Sequence, residues 1–108
     1  MNTSNHYNDI FCRRLKQARL ASGLSQKRLG IAAGIDEFVA STRINRYEKG
    51  VHEPNTEIVL KLSAVLRVPV AYFYAEDDDL AELMLIFWSL SNKQRDELMD
   101  YVRHRVVS

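Results

Sequence analysis

Apolar residues recur along this chain at steps of three and four, and no stretch shows the strict alternation of a half-buried strand. Such a pattern predicts a succession of amphipathic helices. Asp9 is placed to cap a first helix in which Ile10, Phe11, Leu15, Ala18 and either Ala21 or Ser22 share a stripe, and Gly23 ends it. Ser25 precedes a short second helix from Gln26 to Ala33, with Leu29, Ala32 and Ala33 inward and Gly34 as its stop. A third helical segment, from near Asp36 to Lys49, carries Ala40, Ile44 and Tyr47 on one face and stops at Gly50. After the turn Glu53-Pro54-Asn55, residues 56–66 repeat Ile58, Val59, Leu62, Val65 and Leu66 as a fourth helix. Pro69 interrupts, and residues 70–74 form a short apolar turn of helix.

The acidic run Glu76-Asp77-Asp78-Asp79 reads as a solvated linker whose charges also suit the positive end of the helix that follows. That helix is apolar on both sides. Leu80, Leu83, Met84, Phe87 and Leu90 form one stripe, while Leu85, Ile86 and Trp88 lie opposite, so it calls for burial on two faces. Ser91-Asn92-Lys93-Gln94 fits a capping box and opens a last helix lined by Leu98, Tyr101, Val102 and Val106. The predicted class is all-α, with a flexible N-terminus over residues 1–9, a first unit over 10–75 and a C-terminal helical extension over 76–108.

A chain of 108 residues that is 46% hydrophobic suits one domain with a sizeable core. The single cysteine, Cys12, closes no intrachain bridge, and residues 1–6 lack the basic and apolar regions of a signal peptide, so a cytoplasmic protein is expected. The longest apolar run, Leu83 to Trp88, is six residues; a membrane-spanning helix needs about 20, and no membrane partner is expected. The net charge of +1 conceals an asymmetry, +5 over residues 1–50 and −4 over residues 51–108. This split suggests a half that faces a polyanion joined to a half with another task.

Two helices separated by a short glycine-containing turn, the second ending in an aromatic-acid pair, suggest a helix-turn-helix. The residues that carry it are Arg14-Leu15-Lys16 through Arg19, Gly23-Leu24-Ser25-Gln26, Leu29, Ala33-Gly34-Ile35, Ile44-Asn45-Arg46-Tyr47-Glu48-Lys49-Gly50, Pro54, and Leu66-Arg67-Val68-Pro69-Val70. In this order they resemble the XRE/Cro/phage-repressor family of DNA-binding domains over about residues 10–75. The resemblance implies a five-helix phage-repressor-like domain, here with two additional C-terminal helices. The stretch from Gly34 to Tyr47 exceeds the family's pattern by about one helical turn. It either lengthens the recognition helix, with Asp36 as its cap, or makes a longer loop with the helix starting near Ser41. Ala40, four residues before Ile44, favours the longer helix.

Carried across residue by residue, the resemblance implies base contacts from Ser41, Thr42, Arg43, Asn45 and Arg46. It implies phosphate contacts from Gln26, Lys27, Arg28 and Lys49, and a structural ion pair between Arg19 and Glu48. Arg and Asn have the bidentate geometry for guanine and adenine edges, whereas the helical angle of Ser41 brings it near the inward stripe. His6, His52 and His104 join no Cys or acid at ligand spacing, and no nucleophile elbow or phosphate-binding loop is present, so no metal, cofactor or catalysis is expected. The expected function is a sequence-specific transcriptional regulator, a prokaryotic repressor that binds a double-stranded operator as a homodimer. The alternative is an antitoxin-like module that neutralises a protein partner. The all-round apolar helix places the expected dimer interface at Leu83, Ile86, Phe87, Trp88, Leu98, Tyr101 and Val102.

Overall fold

The computed structural model describes residues 6–106 as six α-helices: α1 (His6–Ser22), α2 (Gln26–Ala32), α3 (Ala40–Lys49), α4 (Thr56–Leu66), α5 (Asp78–Ser89) and α6 (Asn92–Val106). A 3₁₀ turn, Val70–Tyr74, lies between α4 and α5, and no strand occurs among the described residues. Leu15, Leu29, Ile44, Leu62 and Phe73, one from each element up to the 3₁₀ turn, are fully buried against one another's cluster. Each such side chain contributes roughly 1.5–3 kcal/mol by leaving water. Phe73 and Phe11 meet with ring centroids 5.0 Å apart, fastening the 3₁₀ turn to α1.

The first helix begins earlier than its sequence suggests. α1 already includes His6 to Asn8, because Asn8 Nδ2 donates to Gly50 O at 3.2 Å and so ties the first turn to the end of α3. Of the stretch expected to be flexible, residues 6–9 are therefore helical; residues 1–5 lie outside the described part. In α2 the inward residues are Leu29, Gly30 and Ala33, while Ala32 faces solvent. A Cβ on Gly30 would lie 2.7 Å from Ala40 Cβ and 3.0 Å from the Ala40 backbone. Only a residue without a side chain lets α2 and α3 cross this closely.

The additional turn before α3 forms a loop, not helix. Asp36 Oδ1 accepts from Phe38 N at 2.9 Å, Asp36 O accepts from Val39 N at 3.1 Å, and the ladder of α3 begins with Arg43 N donating to Val39 O at 2.8 Å. A side chain that satisfies the backbone two residues on holds a turn and competes with helix. Burial of Ile35 ahead of it fixes where the chain must leave the core.

The acidic run is solvent-exposed as expected, but its backbone is tied down and its last two residues already belong to α5. Arg14, 2% exposed, reaches into it: Nε donates to Ala75 O at 2.8 Å, Nη2 donates to Glu76 O at 3.2 Å, and Nη2 pairs with Asp78 Oδ1 at 3.1 Å. Asp77 caps α5 by accepting from Leu80 N at 2.8 Å. Past that point α5 meets the core only through buried Ala81 and half-buried Met84, so most of its large apolar residues stay exposed. No residue of α6 is buried. The predicted capping box is present, with Ser91 N donating to Gln94 Oε1 at 2.9 Å and Gln94 N to Ser91 Oγ at 3.2 Å. Arg95 sets the elbow. Its Nε and Nη2 donate to Phe87 O and Trp88 O, both at 3.0 Å, and its guanidinium covers the Phe87 and Trp88 rings at 4.8 and 5.1 Å. These bonds satisfy carbonyls left open at the end of α5. The radius of gyration, 15.8 Å, exceeds the roughly 13 Å of a compact chain of this length, as a protruding α6 requires.

Candidate nucleic-acid interface

α3 buries Ala40, Ile44 and Tyr47, and the same turns of helix present the remaining side chains outward. Ser41, Thr42, Arg43, Arg46 and Lys49 are exposed and Asn45 is half-buried. Ser41 thus reaches the surface although its helical angle lies close to the buried stripe. On α2, Lys27 and Arg28 are exposed beside the Ser25 cap, whose hydroxyl accepts from Arg28 N at 3.0 Å. Among the described residues, Lys27, Arg28, Arg43, Arg46 and Lys49 carry no ion pair. Five uncompensated cations on two adjoining helices produce a positive field suited to an anionic polymer.

The Arg19–Glu48 pair is present and extends further than expected. Arg19 Nε and Nη2 meet Glu48 Oε2 and Oε1 at 2.6 and 3.1 Å, with side-chain exposures of 12% and 4%. Arg19 Nη1 also donates to Leu24 O at 3.0 Å, and Gln26 Nε2 donates to Glu48 Oε1 at 3.1 Å. The end of α1, the start of α2 and the end of α3 are joined in one network. Gln26, assigned to phosphate by the sequence, therefore spends one amide hydrogen inside the protein and keeps a second for a ligand. The pairing of Arg19 with Glu48 was legible; Leu24 O takes an Arg19 donor left over from the pair, and Gln26 uses acceptor capacity left on the Glu48 carboxylate.

Gly50 ends α3 with φ +76°, its N–H directed at Tyr47 O, while Val51 N donates to Arg46 O at 3.0 Å. A Cβ there would stand 3.2 Å from Cys12 Sγ. Glycine is needed both for the left-handed turn and for the approach of α1. Cys12 is a packing residue of that contact: burial, reinforced by the nearby Asp9 charge, pushes its thiol pKa up and away from thiolate chemistry.

The expected interface residues of α5 and α6 fall into two sets. Leu83, Phe87, Trp88, Leu98 and Val102 line a wholly apolar groove of about 380 Å³ between the helices, together with Leu80, Met84, Met99 and Pro69, which the sequence reading did not assign to it. Ile86 and Tyr101 are exposed but lie outside that groove. No described helix is long and apolar enough to cross a membrane.

The helix-turn-helix family HTH_3 matches residues 15–73. Among solved structures, the crystal structure of transcriptional regulator BswR is similar to this chain with a TM-score of 0.82 and 45% identity, over 86% of this chain and 92% of that one. Residues 1–73 make up only about two-thirds of the chain, so this similarity extends into the C-terminal part. No curated protein sequence matches significantly.

Proposed function

Because the chain belongs to the XRE-type helix-turn-helix family, as residues 15–73 show, we propose that it is a sequence-specific transcriptional regulator reading an operator with α3. The carrying observation is the outer face of α3, where Ser41, Thr42, Arg43, Asn45 and Arg46 are all accessible beside a network that fixes α3 against α1 and α2. Arg46 and Arg43 suit guanine edges and Asn45 suits adenine. Lys27, Arg28 and Lys49 flank that face and suit phosphates, which position the protein without carrying sequence information. A cytoplasmic repressor that occludes a promoter is the role this geometry supports best.

The apolar groove supports a homodimer. Its occupant in this reading is a second copy of the chain, because the first turn of α5 is acidic and the last turn of α6 carries Arg103, His104 and Arg105. A partner α6 laid antiparallel to α5 brings opposite charges together at the mouth of the groove. Two α3 helices would then address half-sites about 34 Å apart. The same groove favours a second reading, in which an apolar helix of a different protein docks there and the chain acts as an antitoxin-like module.

Selection of genomic fragments by the purified chain tests the proposal. Enrichment of one sequence supports it, and a stoichiometric protein partner without sequence preference favours the second reading. On the selected site, Arg46→Ala is expected to cost about 1–3 kcal/mol and relax one base position. Equal losses on random DNA would remove Arg46 from the base readers. Lys27→Ala is expected to weaken binding to every sequence and lower the log-log salt slope by about one, and an unchanged slope would remove Lys27 from the phosphate set.

A further inference from the structure

Phe38 is the most exposed large hydrophobic side chain described, at 86%. Its position is nevertheless fixed. The Asp36 turn holds Phe38 N at 2.9 Å and Val39 N at 3.1 Å, and buried Ile35 and Ala40 anchor the backbone on either side. Phe38 directly precedes Val39, the N-cap of α3. From that position an apolar side chain commonly folds onto the fourth residue of the helix. Here that residue is Arg43, which is exposed and offers no apolar partner. The phenyl ring therefore stands uncovered beside the N-terminal end of α3.

The chemistry of the site narrows the ligand. A phenyl group has no donor for a phosphate, and the carboxylates of Asp36 and Glu37 on the same loop oppose approach to the phosphate backbone. Base edges remain. The N-terminal residues of a recognition helix are those brought to base edges in the major groove, and the apolar group displayed there is the C5-methyl of thymine. We infer that Phe38 is a specificity residue that packs on the methyl group of a thymine at the operator position facing the N-terminal end of α3. The inference rests on the DNA-reading role proposed above and adds to it an apolar reader from outside the helix.

Parallel selections from a random duplex pool with the wild-type chain and with Phe38→Ala supply the test. Affinities are then measured on the wild-type-selected duplex with single thymines replaced by uracil, which removes only the methyl. One such replacement is expected to weaken wild-type binding about 3- to 10-fold, the scale of one buried methyl. Phe38→Ala is expected to lose a similar factor on the thymine duplex, to be indifferent to that uracil, to enrich no thymine at that position and to bind a scrambled duplex as the wild type does. A variant that remains sensitive to every uracil, loses equally on the scrambled duplex, or loses nothing on the selected one overturns the inference while leaving the regulator reading intact. Failure of the wild-type chain to enrich any sequence overturns both.

Discussion

Glu48→Ala is expected to lower the stability of the fold by about 3–5 kcal/mol, a large part of the 5–15 kcal/mol typical of a domain. The Glu48 carboxylate is 4% exposed and accepts three hydrogen bonds, two from Arg19 and one from Gln26. Removing it leaves the Arg19 guanidinium, only 12% exposed, with Leu24 O as its remaining protein acceptor. The penalty is that of an uncompensated charge out of water, so replacing both residues should cost less than the sum of the single replacements. Denaturant melts of the two single variants and the double variant measure this coupling. Strict additivity would show that the pair contributes nothing as a pair.

The second large effect is expected from ending the chain after Ser91. Because α6 buries no residue in its own chain, the shortened protein should keep its fold and melt much as the full chain does. In the proposed dimer the same helix fills the partner's groove, so the shortened protein should sediment as a monomer. Its two half-site interactions are then no longer linked, and operator affinity should fall about 100-fold or more. A full-length chain that is monomeric at high micromolar concentration, or a shortened one that still dimerises, would overturn the interface. A cut after Glu76 would be a poorer probe, since it also removes the Asp78 partner of Arg14 and the buried Ala81.

The parts of this structure legible in the sequence are those governed by local periodicity. Leu15, Leu29, Ile44 and Leu62 each sit on a three-four stripe, and each is fully buried. The Arg19–Glu48 pair and the outward face of α3 were legible through the pattern of helix-turn-helix residues. Asp36 was ambiguous because one carboxylate can bond two or three residues ahead, making a turn or a helix cap. Packing of Ala40 against Gly30 and burial of Ile35 decide for the turn, and both act across the fold. On α5 the expected stripe meets the core through Met84, with the small Ala81 beside it, while Leu85, Ile86 and Trp88 opposite stay exposed; a stripe drawn from bulk alone passed over Ala81. Arg14 read as another cation of a basic helix. Its burial depends on backbone acceptors more than 60 positions along the chain, which no local window contains.

That buried arginine has a mechanical consequence. By holding Ala75 O, Glu76 O and Asp78 against α1, Arg14 joins the helix-turn-helix half and the start of the C-terminal arm into one lever. A slack tether would let two subunits slide or swivel to suit operators of different length. In the proposed dimer, one inserted base pair shifts a half-site by about 3.4 Å and roughly 35° of helical phase. With the lever riveted at Arg14, that shift falls on the DNA, which must untwist or bend to restore alignment. In that dimer the distance between half-sites would count in recognition as much as the bases within them.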